Sequence, residues 1–171
     1  ERLLGLLAIL NSKLIQFYLH SASPLKQGGY YSYSSNILNT IPIPKNYETI
    51  NLNEKSLKII ELYSSYNNVI SKLSTYILHQ YNKLVLTRKL ENWHELDFTD
   101  FIIELNIAIK KAGATSLTKK DEFEWLKLFE DNKKKVKELQ IQITQIEKEI
   151  DEKVYDLYGL IQDERDIVDK G

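Results

Sequence analysis

The side chains able to do chemistry are thinly spread in this sequence. Its three histidines, His20, His79 and His94, fall in separate segments. None stands with a second histidine or a carboxylate at a spacing that repeats a known zinc pattern. The stretch NWHELD, residues 92–97, sets His94 beside Glu95 and Asp97 and reads as a polar turn between helices. Cysteine is absent, which excludes disulfides, thiolate catalysis and cysteine-held zinc or iron–sulfur centres. No Gly-rich phosphate loop, G-x-S-x-G elbow or paired-carboxylate signature occurs. Aspartate and glutamate crowd the last long segment, but they alternate with lysine as on a solvated helix face. No catalytic residue, bound cofactor or metal ligand is therefore expected in this chain.

One stretch stands apart, LKQGGYYSYSSNILNTIPIPK at 25–45. It runs Lys26, Gln27, Gly28, Gly29, Tyr30, Tyr31 in succession. Glycine lets a backbone approach a phosphate closely, and tyrosine can bond a phosphate or stack on an unpaired base. Glutamine and lysine can read base edges. These six are the candidate DNA-proximal residues. The same letters also describe a buried tyrosine strand on a Gly-Gly turn, in which the rings pack and position. Local charge leans the first way: residues 1–50 carry Arg2, Lys13, Lys26 and Lys45 against Glu1 and Glu48.

The elements that must hold this stretch are mostly helical. Leu3, Leu6, Leu7, Leu10, Leu14, Phe17 and Tyr18 follow the i, i+3, i+4, i+7 rhythm and predict one apolar helix over 3–19, stopped by Pro24. The run is too short to span a bilayer and too interrupted for a signal peptide. Lacking an initiating methionine and opening inside a helical pattern, the sequence is expected to be a piece of a longer chain. Beyond the tyrosines, Ser34 or Ser35 caps a short turn, and Pro42 and Pro44 hold Ile41 and Ile43 extended.

From 53 to 91 the spacing of Ile59, Tyr63, Tyr66, Ile70, Leu73, Ile77, Gln80 and Leu84 predicts a coiled-coil seam. Asn51 and Glu54 offer a cap at its start, and the arm would run about 60 Å. A short helix over 99–111 buries Phe101, Ile102, Leu105 and Ile109 and ends at Gly113. Thr118 and Asp121 open a second long helix. Its seam is Trp125, Phe129, Asn132, Val136, Leu139, Ile143, Ile146, Ile150 and Leu157, stopped by Gly159. Asn132 and Gln80 are candidates for fixing register. A tail follows, anchored by Ile161, Ile167 and Val168. The fold class is thus mainly α: a long antiparallel helical hairpin, coiled-coil-like, with a small N-terminal α/β part. Organisation divides at 50, with the Gly-Gly/Tyr edge in 1–50 and the helical hairpin in 51–171.

Bulk composition is neutral on partners. The chain has 171 residues, 43% hydrophobic and 27% charged, with a net charge of −1. That size suits a single domain with a real core, and the balance gives no global pull toward nucleic acid or membrane. Lack of cysteine agrees with a cytoplasmic location.

The order of these pieces carries a resemblance. LLGLLAILNSKLIQFYLHSASPLKQGGYYSYSSNILNTIPIPK, together with IEKEIDEKVYDLYGL and DERDIV at the far end, resembles the C-terminal specificity region of adenine-specific DNA methyltransferases. The relevant kind is the fused, type IIG-like restriction–modification enzyme with a TaqI-like target-recognition domain. EWLKLFED is compatible with the same family. The resemblance implies a non-catalytic specificity and spacer module within a parent that methylates adenine N6 from S-adenosylmethionine. That parent can also be an endonuclease using magnesium, whereas this segment lacks both the Asn-Pro-Pro-Tyr-type motif and a nuclease pattern. Implied partners are double-stranded DNA through the parent, and upstream methyltransferase and recognition domains. Where the family's strand after Gly-Gly carries basic residues, this chain has Ser32, Ser34 and Ser35, so few phosphate contacts are expected. Placed in this order, the 25–45 stretch becomes the junction between recognition lobe and spacer. The alternative is a structural coiled-coil module that forms a homodimer through its helices without touching DNA.

Overall fold

The computed structural model describes residues 2–171; Glu1 and the side chains of Arg2 and Thr49 lie outside the described residues. The chain divides into two compact units, one formed by 1–61 with 143–171 and the other by 62–142. Two long helices contribute to both, α4 (Asn53–Gln80) and α7 (Lys119–Tyr158). They pack on each other and run antiparallel: Lys55 bonds Glu149 in the first unit, and Tyr76 meets the Trp125 ring at 5.7 Å in the second. The expected mainly helical hairpin is what forms.

In the first unit the apolar N-terminal run is two helices, α1 (Arg2–Leu10) and α2 (Lys13–Ala22), bent by 58° between Leu10 and Lys13. The single helix expected over 3–19 is therefore broken, and the reason is local. Ser12 takes an extended conformation as the cap of α2, accepting from the Ile15 N–H and donating to the Ile9 carbonyl at 2.7 Å. Asn11 donates to the Leu7 carbonyl, closing off the end of α1. Among the described residues no single helix is long and apolar enough to cross a membrane; α1 and α2 reach that length and composition only when counted together across their 58° bend. Their buried faces, Ala8, Ile9, Ile15 and Leu19, form a core with Leu52, Ile150 and Val154, and Ile41 and Ile43 pack against it from the proline segment.

After Ser23, the strands β1 (Leu25–Lys26) and β2 (Tyr30–Tyr31) make a minimal antiparallel hairpin, with Leu25 opposite Tyr31 and Lys26 opposite Tyr30. A short helix, α3 (Ser35–Leu38), follows Ser34. The first bond of α4 runs from the Ser56 N–H to the Leu52 carbonyl, so the helix begins from buried Leu52 and not from the expected cap at Asn51.

The second unit corrects the first seam. The spacing predicts one helix from 53 to 91 with its seam reaching Leu84, but α4 stops at Gln80, and Lys83 turns the backbone with φ of 63°. That turn returns Leu84 to the core. Tyr63 and Gln80 are exposed, while Leu62, Leu73 and Ile77 are buried. Then α5 (Arg88–Glu91), capped by Thr87, leads into NWHELD. This is no simple polar turn, because Trp93 is fully buried and its Nε1 donates to the Ile70 carbonyl at 3.1 Å. Trp93, Phe101, Trp125 and Phe129 form an aromatic cluster, with Phe101 and Phe129 centroids 4.8 Å apart. The linking helix α6 (Phe98–Lys111) is capped by Asp97 and buries the four expected residues plus Ala108.

The seam of α7 is as expected: each named position is buried or half-buried. Thr118 and Asp121 exchange the hydrogen bonds of a reciprocal cap. Asn132 bonds its own helix at Leu128, and Gln80 is the exposed last residue of α4, so neither acts as a cross-helix register pin. Gly159, at φ of 70°, ends α7. The final helix, α8 (Gln162–Lys170), is held differently from expectation. Ile161 and Ile167 are exposed, and only Val168 is buried. Arg165 makes the attachment, pairing with Glu152 at 2.9 Å and Asp156 at 2.7 Å while donating to the Leu160 carbonyl.

Candidate functional site

The six candidate residues share one hairpin. Lys26 lies in β1 and Tyr30 and Tyr31 in β2, with Gln27, Gly28 and Gly29 forming the turn. Gly28 and Gly29 have φ of 97° and 81°, a region closed to most side chains. At Gly28 a Cβ would also stand 2.7 Å from the Tyr30 ring. The Gly29 N–H donates to the Lys26 carbonyl and closes the turn.

All six residues are exposed. The buried tyrosine strand, one of the two sequence readings, is therefore not what forms: Tyr30 is 71% exposed. A two-residue strand on a Gly-Gly turn has no sheet to enter, so its side chains stay at the surface. Tyr31 does find a neighbour that sequence reasoning missed. Its ring stacks on His20 of α2 at 4.0 Å and 12°, and the Tyr33 ring lies nearly parallel to His20 at 6.5 Å.

An open cleft of about 520 Å³, with His20 and Tyr31 in its lining, lies between α2 and the end of α8. Two of its lining residues, Lys13 and Asp169, belong to a polar chain. Tyr155, buried on α7, donates its hydroxyl to Asp169 Oδ1 at 2.9 Å, and the Lys13 ammonium reaches the same oxygen at 3.1 Å. Burial works against ionisation of Asp169, but the bonds from Lys13 and Tyr155 outweigh it and hold the carboxyl below its ordinary range. Burial first, and then the bond to Asp169, push the Tyr155 phenol well upward. Tyr155 is thus a fixed proton donor. Beside it, buried Asp151 accepts the Lys13 backbone N–H at 2.9 Å.

Nothing in the local spacing announces this set. Lys13 and Asp169 are 156 positions apart, and His20 has no partner within a helical turn that marks it. The one available signal was Tyr155 itself, a polar-tipped aromatic on the core face of a heptad helix. Among the described residues no three His, Asp or Glu side chains gather as a metal ion would need.

A family described as a domain of unknown function (DUF8810) matches residues 45–154, well over half of the chain. The chain belongs to the DUF8810 family. The DUF8810 match takes in α4, the aromatic core of the second unit and most of α7, and it leaves the Gly-Gly hairpin and α8 outside. No curated protein and no solved structure matches the chain. DUF8810 membership brings no activity with it, so function has to be argued from the residues.

Proposed function

We propose that this DUF8810 chain is a non-catalytic specificity and spacer module of a restriction–modification N6-adenine DNA methyltransferase, positioning the target-recognition domain on DNA. The observation that carries the reading is the exposed hairpin of Lys26, Gln27, Gly28, Gly29, Tyr30 and Tyr31. It offers an ammonium, an amide, two side-chain-free backbone positions and two rings on one surface loop. DNA backbones and base edges are recognised by such groups. The long antiparallel helices suit a spacer, whose task is to keep a distance. S-adenosylmethionine, and magnesium if the parent cleaves DNA, belong to the upstream catalytic part, and the location would be the cytoplasm.

The test is duplex binding by the intact parent protein across a salt series. Lys26→Ala should lower the slope of log affinity against log salt by about one. Tyr30→Ala should weaken binding at every salt concentration. Unchanged affinity and unchanged methylation in both variants would sink the assignment.

A second reading, a helix-mediated homodimer without DNA contact, draws on the outward apolar positions Leu57 and Ile60 of α4. Sedimentation of the chain separates the two, since a tight dimer favours this one.

A further inference from the structure

The outward face of α4 is built unlike that of α7. A solvated helix face ordinarily carries charge, and every exposed position of α7 from 124 to 138 is lysine, glutamate or aspartate. In α4 no charged residue occurs from 62 to 71. Ser64, Asn67, Asn68, Ser71 and Thr75 are all exposed. Serine, threonine and asparagine are weak helix formers, so helix stability does not account for them. Leu57 and Ile60 precede them and Leu78 follows, exposed as well. At about 100° per residue these positions share one stripe along a helix unbroken from Asn53 to Gln80.

The stripe is its own complement when a second helix runs the opposite way. About a midpoint between Asn67 and Asn68, Leu57 falls opposite Leu78 of the second copy, Ile60 opposite Thr75, and Ser64 opposite Ser71. Small side chains at the centre let the helix axes approach to about 8 Å, and leucine closes each end. Charge selects the same direction independently. One flank of the stripe carries Glu54 and Glu61 in its first half and Lys72 and His79 in its second, all exposed. In an antiparallel pair like flanks meet, so Glu61 lies beside Lys72 of the second copy and Glu54 beside His79. A parallel pair would instead set these charges against the uncharged flank of Tyr63 and Ser74. Glu61 reaches Lys58 of its own helix only at 4.0 Å, and its side chain stays exposed.

We propose that this face of α4 pairs antiparallel with the same face of a second copy of the chain. The pairing goes beyond the spacer reading and uses none of the hairpin residues. It rests on the homodimer reading for its choice of partner, and gives that reading a surface, a direction and a register. With few large apolar contacts, the pair should be weak, with a roughly micromolar dissociation constant.

The experiment is sedimentation of the 171-residue chain over a concentration series, joined to crosslinking that the absence of cysteine makes clean. The parent sequence should pass from monomer to dimer. Ser64→Arg, a change at an exposed position, should stay monomeric with its thermal melt unchanged. Glu61→Lys and Lys72→Glu should each weaken the dimer roughly 5- to 30-fold, and the two together should restore it. Under mild oxidation Asn68→Cys should link to itself across the midpoint. Ser64→Cys alone should not, because its two copies lie about 10 Å apart along the axis, beyond disulfide reach. Mixed with Ser71→Cys, it should. A monomer up to millimolar concentration overturns the proposal and the homodimer reading together. A dimer indifferent to Ser64→Arg, a self-linking Ser64→Cys, or a charge reversal without rescue overturns this face and register while the homodimer reading stands. Duplex binding by the hairpin variants across a salt series is separate from all of these outcomes.

Discussion

The backbone N–H of Lys13 donates to the carboxylate of Asp151 at 2.9 Å, across 138 residues of sequence. Lys13 is the first residue of α2, so a side chain of α7 satisfies one of the helix's otherwise unpaired N-terminal donors. The carboxylate lies in the favourable field of that helix end, yet it is 6% exposed.

Burial dominates the titration of Asp151 and raises its pKa, with the Lys13 N–H and ammonium opposing. The sign is therefore the reverse of the usual carboxylate. Its contribution is most favourable below the ordinary value near 3.9 and declines as pH rises through the higher folded value. Asp151→Asn keeps an oxygen for the Lys13 N–H and removes the buried charge. Its stability relative to the parent sequence should rise between pH 4 and pH 7. Asp151→Ala, which leaves the donor unpaired, should cost about 1–3 kcal/mol at neutral pH. Urea denaturation of both variants at the two pH values checks this.

Trp93 is the keystone of the second unit's core. Trp93→Ala should destabilise that unit by about 3–5 kcal/mol. Trp93→Phe keeps most of the volume but loses the bond to the Ile70 carbonyl, and should cost about 1–2 kcal/mol. Denaturation followed by Trp125 fluorescence reads both variants.

Lys83 holds a left-handed conformation that most side chains avoid. Lys83→Gly should gain up to about 1 kcal/mol, the strain relieved less the added freedom of the unfolded chain. Lys83→Val should lose at least as much. Thermal melts of the two variants should move in opposite directions.

His94 sits edge-on to Tyr66 and Trp93, with its buried Nδ1 unpartnered. Burial lowers its pKa, the Lys133 charge adds to that, and Glu95 opposes. The neutral ring is thus the folded form. Its contribution is complete above the ordinary value near 6.5 and is lost as pH falls toward the lower folded value. Melting should drop on acidification through that window, and the drop should shrink in His94→Phe.

Periodicity made the long helices legible because burial along them follows one face. Trp125, Phe129, Val136, Ile143 and Ile150 could be placed from spacing alone. The same rhythm overran the end of α4, since Leu84 keeps heptad phase while belonging to a turn. At residues 3–19 the apolar pattern continued through Asn11 and Ser12, whose side chains bond their own backbone more favourably than helix continuation allows. Of the candidate site, the hairpin and its positive-φ glycines were readable. The cleft was not, because its lining joins Lys13, His20, Tyr31 and Asp169 through tertiary contacts with no local signature.

The unit formed by 1–61 and 143–171 is discontinuous in sequence, whereas 62–142 is a single stretch. Chain made in order can therefore complete the continuous unit while the other still lacks its second half. Until residues beyond 142 appear, Ile9, Ile15 and Leu19 have no Ile150 or Val154 to cover them. Closing so large a loop is entropically slow compared with the local contacts of the continuous unit. Helices α1 and α2 pass through synthesis with only the early partners Leu52, Ile41 and Ile43 against them, so part of their apolar faces stays open, the kind of nascent surface that holdase chaperones engage.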